Sequence, residues 1–313
     1  MIPPVSSSAD RQLAPHGAVP EGTVISTDEQ QAVDSPRRRL RTWLSASGLI
    51  GLAVVAFWLL IALLGPLMAP HGVGAIVADD SFASMSAQFP LGSDYLGRDV
   101  LSRILYGARY TVGLALAAAL LASTAGTALG MFAAVSGRWI DEIASRLLDA
   151  LTCIPSKIFA LVMVAAFGSS VPLLLLTAAL SYLPGAYRIS RSLAVNLNQM
   201  EYVQVARARG EGRIHIACVE ILPNMIHPML ADFGLRFVFV VLLLSGLSFL
   251  GLGVQPPAAD LGSLVRENIS GLSDGAPAVI MPALAIATLT IGVNLVIDSL
   301  PGRTRRIADG ALR

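Results

Sequence analysis

Long apolar runs constrain this chain more than any other feature. Each is about 20 residues or longer, enough for a helix to cross a hydrocarbon core of about 30 Å. They lie near residues 46–68, 110–135, 145–168, 171–190, 225–253 and 279–300. Inside lipid every backbone polar group needs a partner within the segment, which helices provide. We therefore predict an all-α membrane protein with six transmembrane helices.

The overall composition agrees with a membrane location. The 313 residues are 54% hydrophobic and 14% charged, which is far from the balance of a soluble globular protein. Cys153 and Cys218 do not form a disulfide framework, and the four histidines lack ligand spacing. We expect neither a metal site nor a cofactor bound by this chain.

The arginines are distributed unevenly along the chain. Most fall before the first run, after the last one, or in alternate loops, while Arg98, Arg103 and Arg266 fall in the others. Because cytoplasmic loops of membrane proteins are enriched in basic residues, both termini are predicted to be cytoplasmic. The inner-side arginines are Arg37, Arg38, Arg39, Arg41, Arg138, Arg146, Arg188, Arg191, Arg207, Arg209, Arg213, Arg303, Arg305, Arg306 and Arg313.

The sequence divides into a long membrane domain and two tails. Residues 1–36 are polar and lack apolar periodicity, which predicts a disordered cytoplasmic tail. The basic cluster at 37–41 precedes an apolar run that is too long, and too far from the N-terminus, for a signal peptide. We place the membrane domain at 37–300 and a second cytoplasmic tail at 301–313.

A polar, arginine-rich stretch, Glu201–Pro223, separates the fourth run from the fifth. Gly210 predicts a turn between two short helices, since glycine accepts backbone conformations closed to other residues. Ala206 would keep the docking face of this loop slim, and Pro223 would end its helix before the fifth span. Its arginines would meet acidic groups of a partner; they are Arg207, Arg209 and Arg213. The alternative is a solvated basic loop with no partner.

A second motif lies between the first and second runs. Leu91–Arg109 reads LGSDYLGRDVLSRILYGAR, and by itself it predicts only an interfacial helix. Together with Glu201–Pro223 it resembles the permease subunits of binding-protein-dependent ABC importers, in the C-type subunit of the dipeptide, oligopeptide and nickel class. The pattern LGTDxLGRDxxSRxxxGAR of that family matches this stretch nearly throughout.

The polar loop resembles the family's E-A-A-x3-G-x9-I-x-L-P motif, a helix-turn-helix that docks in a groove of the ATPase subunit. Gln204, Val205 and Glu220 replace the usual Glu, Ala and Ile. The resemblance implies that residues 196–223 form a coupling loop. The implied ATPase-coupling residues are Glu201, Gln204, Ala206, Arg207, Arg209, Gly210, Arg213, Leu222 and Pro223.

Further matches extend the resemblance from about residue 40 to residue 300. The matching residues are Arg146, Asp149 and Pro155, then Arg188 and Arg191, then Ser248–Val254 with Pro257, and finally Asn294 with Asp298. Ser299–Arg303 departs from the family's usual sequence.

The resemblance implies a type I ABC importer permease fold in the bacterial inner membrane, with residues 37–300 as the permease domain. It also implies a second homologous permease subunit in a heterodimer, one or two ATPase subunits that hold ATP and Mg, and an external solute-binding protein. Lipid is the remaining partner, and nucleic acid is not one. Relatives carry peptides, opines, glutathione or nickel chelates.

The chain is not expected to hydrolyse ATP itself. A phosphate-binding G-x4-G-K-[ST] loop needs a lysine after glycine. The one lysine, Lys157, follows Ser156.

Three charged residues fall inside predicted spans, where charge is costly. Asp232 and Arg236 lie one helical turn apart, and we predict that they pair with each other. Lys157 has no partner on its own helix; it faces the transport pathway or the second permease subunit, or it snorkels to the inner interface. All three residues are candidates for a pathway role.

Two other classes of protein stay open at this point. An ion-coupled secondary transporter would show inverted repeats and acidic relays near the membrane midplane, and Asp232 is the one clear carboxylate there. An intramembrane enzyme would need a nucleophile and a base facing each other across spans. Cys153, with no histidine near it in the sequence, is a poor candidate.

Overall fold

The computed structural model describes residues 46–87 and 89–300, and within these ranges the regular structure is helical apart from two isolated β-bridges. The predicted tails, 1–36 and 301–313, lie outside the described residues. The helices are α1 (Ala46–Met68), α2 (Val100–Ser136), α3 (Arg138–Thr152), α4 (Ser156–Phe167), α5 (Val171–Leu197), α6 (Glu201–Ala208), α7 (Arg213–His215), α8 (Leu222–Phe249), α9 (Leu261–Glu267) and α10 (Pro277–Ser299). A π-helical turn, Ile216–Ile221, joins α7 to α8, and a 3-10 turn, Ile269–Leu272, follows α9.

Four helical stretches of the described chain are long and apolar enough to cross a membrane. They are α1, α2, α10 and the continuous segment Arg213–Phe249 that contains α8. The bent pair α3 and α4 makes a fifth if it is one span. Helix α5, with 27 residues, is not among these stretches; its second half contains Arg188 and Arg191. The coarse prediction of an α-helical membrane protein is confirmed.

The span predicted at 145–168 is wrong as a single helix. Helices α3 and α4 meet at an 80° bend around Pro155. Proline has no N–H to continue a helical ladder, and its ring disfavours helical backbone in the residue before it. The apolar run therefore changes direction at Pro155 and does not form one straight helix.

The second span starts earlier than predicted, because α2 begins at Val100 and not near residue 110. Asp99 caps the helix by accepting hydrogen bonds from the backbone N–H groups of Leu101 and Ser102. The second half of the stretch Leu91–Arg109, which by itself predicts only an interfacial helix, is therefore the first part of α2.

Helices α2 and α5 pack closely through small residues. A Cβ added to Gly126 would lie 2.5 Å from the Cβ of Ala186, and one added to Gly130 would lie 2.8 Å from the carbonyl oxygen of Tyr187. Gly126 and Gly130 thus let α2 approach α5 closely. Because residue numbers rise together along the contact, the two helices run in the same direction.

The other large packing interfaces are antiparallel. In the α1–α10 pair, Trp58 donates from Nε1 to the hydroxyl of Thr288 at 3.1 Å, while Gly51 faces Leu295. In the α5–α8 pair, Arg236 lies against Gly185 and the hydroxyl of Tyr182 donates to the carbonyl of Phe239. Chain direction thus alternates from one long helical pass to the next.

Candidate functional site

The polar stretch Glu201–Pro223, called the coupling segment from here, is a helical hairpin. Helix α6 ends in a turn at Gly210, whose φ is +84°. The N–H of Gly210 donates to the carbonyl of Arg207 at 2.9 Å, and the N–H of Glu211 donates to that of Ala206 at 3.2 Å. These two bonds form a Schellman motif, which stops α6 and reverses the chain.

The inner face of the hairpin packs on the membrane helices. Val203 and Ala206 of α6 are fully buried, as is Ile221 of the π-helical turn. They belong to a small apolar cluster that also contains Met131 of α2 and Met225 of α8. The expectation that Ala206 lies on a face that docks to a partner is therefore wrong. Its small side chain lets α6 approach the bundle closely.

Each predicted coupling arginine makes a contact within the chain. Arg207 donates to the side-chain oxygen of Asn198 at 2.6 Å, and Arg213 donates to the carbonyl of Ser136 at 3.1 Å. Arg209 pairs with Glu211 at 2.8 Å, yet its side chain is still 60% exposed. Arg207 and Arg213 hold the hairpin to the ends of α5 and α2, whereas Arg209 pairs within the hairpin; all three are exposed.

Two of the remaining predicted coupling residues lie at the start of the hairpin. Glu201 is exposed in the first turn of α6. Gln204 is exposed as well, and its amide donates to the carbonyl of Asn198 at 3.1 Å. The Glu-to-Gln departure from the family pattern therefore supplies a neutral donor at this position.

The outer face of the hairpin carries apolar side chains that the sequence analysis did not single out. Val205 is 54% exposed, Ile214 73% and Val219 52%. For Val205, helical spacing in the sequence could have indicated this position. Val203 and Ala206 face inward, so Val205, which lies between them in the same helix, faces outward. Exposed apolar side chains beside charged ones are suited to docking in a groove of another protein.

Pro223 does not end the loop helix, contrary to the prediction. It is the second residue of α8, which follows the π-helical turn without interruption, and Leu222 is half-buried against the apolar cluster. A proline inside continuous helical structure removes one N–H from the ladder, and its ring crowds the carbonyl of the preceding turn. The wider π turn provides the change of register, so helical structure runs from the hairpin into the membrane span.

A second polar site lies at the opposite end of the bundle. Asp94 accepts from Nε of Arg98 at 2.6 Å and from Nη1 of Arg103 at 2.8 Å. Glu267 of α9 accepts from the same two arginines at 2.9 and 2.7 Å. These four residues, called the distal network, join the start of α2 to α9.

The distal network is closed to solvent. The side chains of Asp94 and Arg103 are only 1% and 2% exposed. Burial lowers the pKa of the Arg98 guanidinium, but Asp94 and Glu267 outweigh this effect and raise the pKa above its ordinary value. The Arg98 guanidinium therefore keeps its charge in this network. The sequence motif contains three of its members, but nothing in the sequence indicates Glu267, which lies 164 residues beyond Arg103.

Asp260 organises the loop that precedes α9. Its carboxylate accepts from the backbone N–H of Ser263 at 2.8 Å and from the hydroxyl of Ser248. Burial raises the pKa of Asp260 despite these hydrogen bonds. The N–H of Leu261 donates to the hydroxyl of Thr111 at 2.9 Å, which attaches this loop to α2.

The predicted pair of Asp232 and Arg236 is confirmed. The guanidinium donates to both carboxylate oxygens, at 2.6 and 2.9 Å, and to the carbonyl of Tyr182 at 2.7 Å. Gly185 leaves the room that the guanidinium occupies, because a Cβ there would lie 2.8 Å from Nη1. Both charges are buried and neutralised within the chain.

Lys157 lies apart from this pair. It is the second residue of α4, just beyond the bend, and it is exposed. Among the residues that the structure describes, it has no ion-pair partner. No group of three or more His, Cys, Asp or Glu side chains suited to a metal occurs in the described ranges.

Comparison with known proteins gives consistent similarities. Residues 126–306 match the family described as "Binding-protein-dependent transport system inner membrane component". The dipeptide transport system permease protein DppC of Alkalihalophilus pseudofirmus is 30% identical over 283 residues, covering 90% of this chain and 93% of that protein. DppC of Haemophilus influenzae is 30% identical over 80% of this chain and 88% of its own length. The glutathione transport system permease protein GsiD of Pectobacterium atrosepticum is 33% identical over 67% of this chain and 70% of its own.

Proposed function

Because this chain belongs to the binding-protein-dependent transport system inner membrane components, the permease subunits of ABC importers, we propose that it carries a peptide or related small solute inward. Similar proteins are named for dipeptide and glutathione transport, which supports this class of solute. The chain is a multi-pass membrane protein of a system that includes an ATPase and a solute-binding protein. We place it in the bacterial inner membrane.

The proposed topology has six spans with both ends of the membrane domain, 37–300, in the cytoplasm. The alternating direction of the long helices supports it. Since α2 and α5 run the same way, the bent pair α3 and α4 must return the chain between them. The start of α1 and the end of α10 lie at the end of the bundle that bears the coupling segment. Gly51, near the start of α1, faces Leu295 near the end of α10. Gly234, in the half of α8 next to the coupling segment, faces Ile297, also near the end of α10.

The coupling segment carries the functional proposal. Its apolar outer side chains, Val205, Ile214 and Val219, fit a groove on the ATPase subunit, with Arg209 at their edge. ATP and Mg would bind to that partner, and closure of two ATPase subunits would move the hairpin. The single supporting observation is that the hairpin continues into α8 without a break, so displacement of one displaces the other.

We further propose that the pore is a heterodimer with a second homologous permease, served by one or two ATPase subunits. Asp232, a midspan carboxylate that ion-coupled transport would use, is already neutralised by Arg236, which favours ATP coupling. Lys157 is exposed on α4 and is proposed to face the pathway or the second permease. Lys157→Met at normal expression should then lower uptake; unchanged uptake would exclude the pathway role.

Reconstitution tests the function. Proteoliposomes would contain this chain, its companion permease and the ATPase subunits, with the solute-binding protein and a labelled dipeptide outside. We expect uptake that requires ATP inside and the ATPase subunits. Uptake driven by an ion gradient without ATP would overturn the proposal. ATP-dependent uptake of glutathione but not of dipeptides would keep the mechanism and correct the solute.

A further inference from the structure

Helix α3 has an exposed apolar surface in an unusual position. Trp139 is 80% exposed, Ile143 63% and Leu147 70%, and no residue of this helix is fully buried. Along the chain it lies between the long helices α2 and α5, and it is set at 80° to α4. An apolar surface of this size on a described helix needs a partner.

The side chains of α3 separate into two halves. With about 100° between successive residues, the apolar side chains fill one continuous arc of about 180° and the polar ones fill the other. The apolar half contains Trp139, Ile140, Ile143, Ala144, Leu147, Leu148, Ala150 and Leu151. The polar half contains Arg138, Asp141, Glu142, Ser145, Arg146, Asp149 and Thr152.

The helix contacts its own chain along one border between these halves. Asp141, Ala144, Ser145 and Leu148 are half-buried, whereas the residues on the opposite border are exposed. In a helix that packs on a soluble core, the middle of the apolar half would face the protein. In α3 the contact with the rest of the chain runs along the border between the two halves. The apolar half therefore extends from the contact on one side, and the polar half extends on the other.

Polar bonds to α5 fix this orientation. Asp141 pairs with Arg191, and the hydroxyl of Ser145 lies 2.8 Å from that of Tyr187. Asp149 accepts from Arg188 at 2.7 Å. The three contacts together hold α3 along most of its length.

The bend between α3 and α4 sets the direction of α3. Helix α4 belongs to the bundle, since its Ala160 and Val164 lie in the main apolar core, and α3 is set at 80° to α4. Because α4 is the part of the bent pair that passes back through the bundle, α3 lies at a steep angle to the direction in which the spans run.

We infer that α3 is an interfacial helix, lying in the plane of the membrane with its apolar half in the lipid at the acyl and headgroup boundary. Its polar half faces water and the lipid headgroups, with Arg138 and Arg146 placed to meet phosphate groups. Tryptophan is favoured at this depth, as Trp139 would be. The apolar surface continues past the bend, where Ile158 and Val162 of α4 are 54% and 59% exposed. A bilayer that covers α4 would thus meet the apolar half of α3.

Spin-label accessibility tests the inference in the assembled transporter in lipid bilayers. The Cys153→Ser, Cys218→Ser chain would carry single nitroxides at Ile140→Cys or Leu147→Cys in the apolar half, and at Glu142→Cys or Arg146→Cys in the polar half. Collisions with oxygen report lipid, and collisions with a water-soluble nickel chelate report water. Each variant must retain uptake, which shows that the labelled chain is folded.

We expect severalfold more oxygen than nickel collisions at positions 140 and 147, and the reverse at positions 142 and 146. Low collision rates with both reagents at 140 and 147 would show that the second permease covers this face, and would overturn the inference. High nickel collisions at all four positions would show a solvated helix, and high oxygen collisions at all four a transmembrane one. Either result would also overturn it. None of these outcomes depends on which solute is transported.

Discussion

The two polar ends of this permease are built on opposite principles. The distal network buries four charges in direct contact with one another, with Arg103 only 2% exposed. The coupling segment keeps its charges at the surface, with Arg209 at 60%, and buries apolar side chains such as Val203. Buried charges depend on every partner, whereas surface charges are screened by water and contribute little to stability. One end is suited to holding a fixed shape and the other to engaging and releasing a partner.

The largest expected effect comes from breaking the distal network. Arg103→Ala leaves Asp94 and Glu267 buried with one cation instead of two. Removing one partner from a buried ion pair costs about 3–5 kcal/mol. We expect a large fall in the apparent thermal midpoint of the purified protein in detergent.

Arg266→Ala is the matched control for this variant, since Arg266 adjoins Glu267 in the chain but is exposed. Its midpoint should stay near that of the wild type. Equal small shifts in both variants would mean that the distal network does not hold this end together.

The apolar anchor of the coupling segment is tested by Ala206→Leu. Ala206 is fully buried against the apolar cluster, and extra methylene groups in a filled site cost about 1–3 kcal/mol. The variant should loosen α6, seen as faster proteolysis of the hairpin. Ala208→Leu, two residues further on at an exposed position, should not. If Ala208→Leu gave the faster cleavage, the direction in which α6 faces would be wrong.

A smaller cost in stability, but a large effect on function, is expected for Gly210→Val. A left-handed backbone costs a residue with a side chain about 1–2 kcal/mol, and a β-branched residue accepts it least. The strained turn should reorient the hairpin, so the ATPase subunit should copurify poorly and ATP-dependent uptake should fall. Membrane insertion should be normal.

Gly212→Val is the control, because Gly212 has φ of −73° and open space around it. Asparagine tolerates the left-handed region, so Gly210→Asn should retain most of the activity. If both Gly210 variants behaved like Gly212→Val, the turn would not matter for coupling.

The smallest effect is a pH dependence confined to the distal end. Because the pKa of Asp260 is raised in the folded protein, the folded state keeps a proton that the unfolded state releases above its ordinary value of 3.8. The free energy of unfolding should therefore fall as pH rises from that value through the raised pKa, and level off above it. Asp260→Asn should flatten this part of the profile in a stability titration. An unchanged slope would contradict the assignment.

The sequence predicted the features that local spacing determines. The apolar runs located the long helices, Asp232 and Arg236 pair because they are one turn apart, and Gly210 forms the turn. It did not predict Glu267 in the distal network, since that contact depends on how α9 folds back on α2. The prediction for Pro223 failed because the sequence does not show the π turn that precedes it. Without that turn, a proline at the start of a helix cannot be distinguished from one at the end.

The continuous helix from Arg213 to Phe249 has a mechanical consequence. Its 37 residues make a rod about 55 Å long, one end in the hairpin and the other close to the distal network. A push on one end of such a rod would tilt its whole length, including the π-helical turn Ile216–Ile221. If the coupling segment docks on the ATPase subunit as proposed, the distal end would act as the fulcrum, and a small stroke at Ile214 would rotate α8 about it.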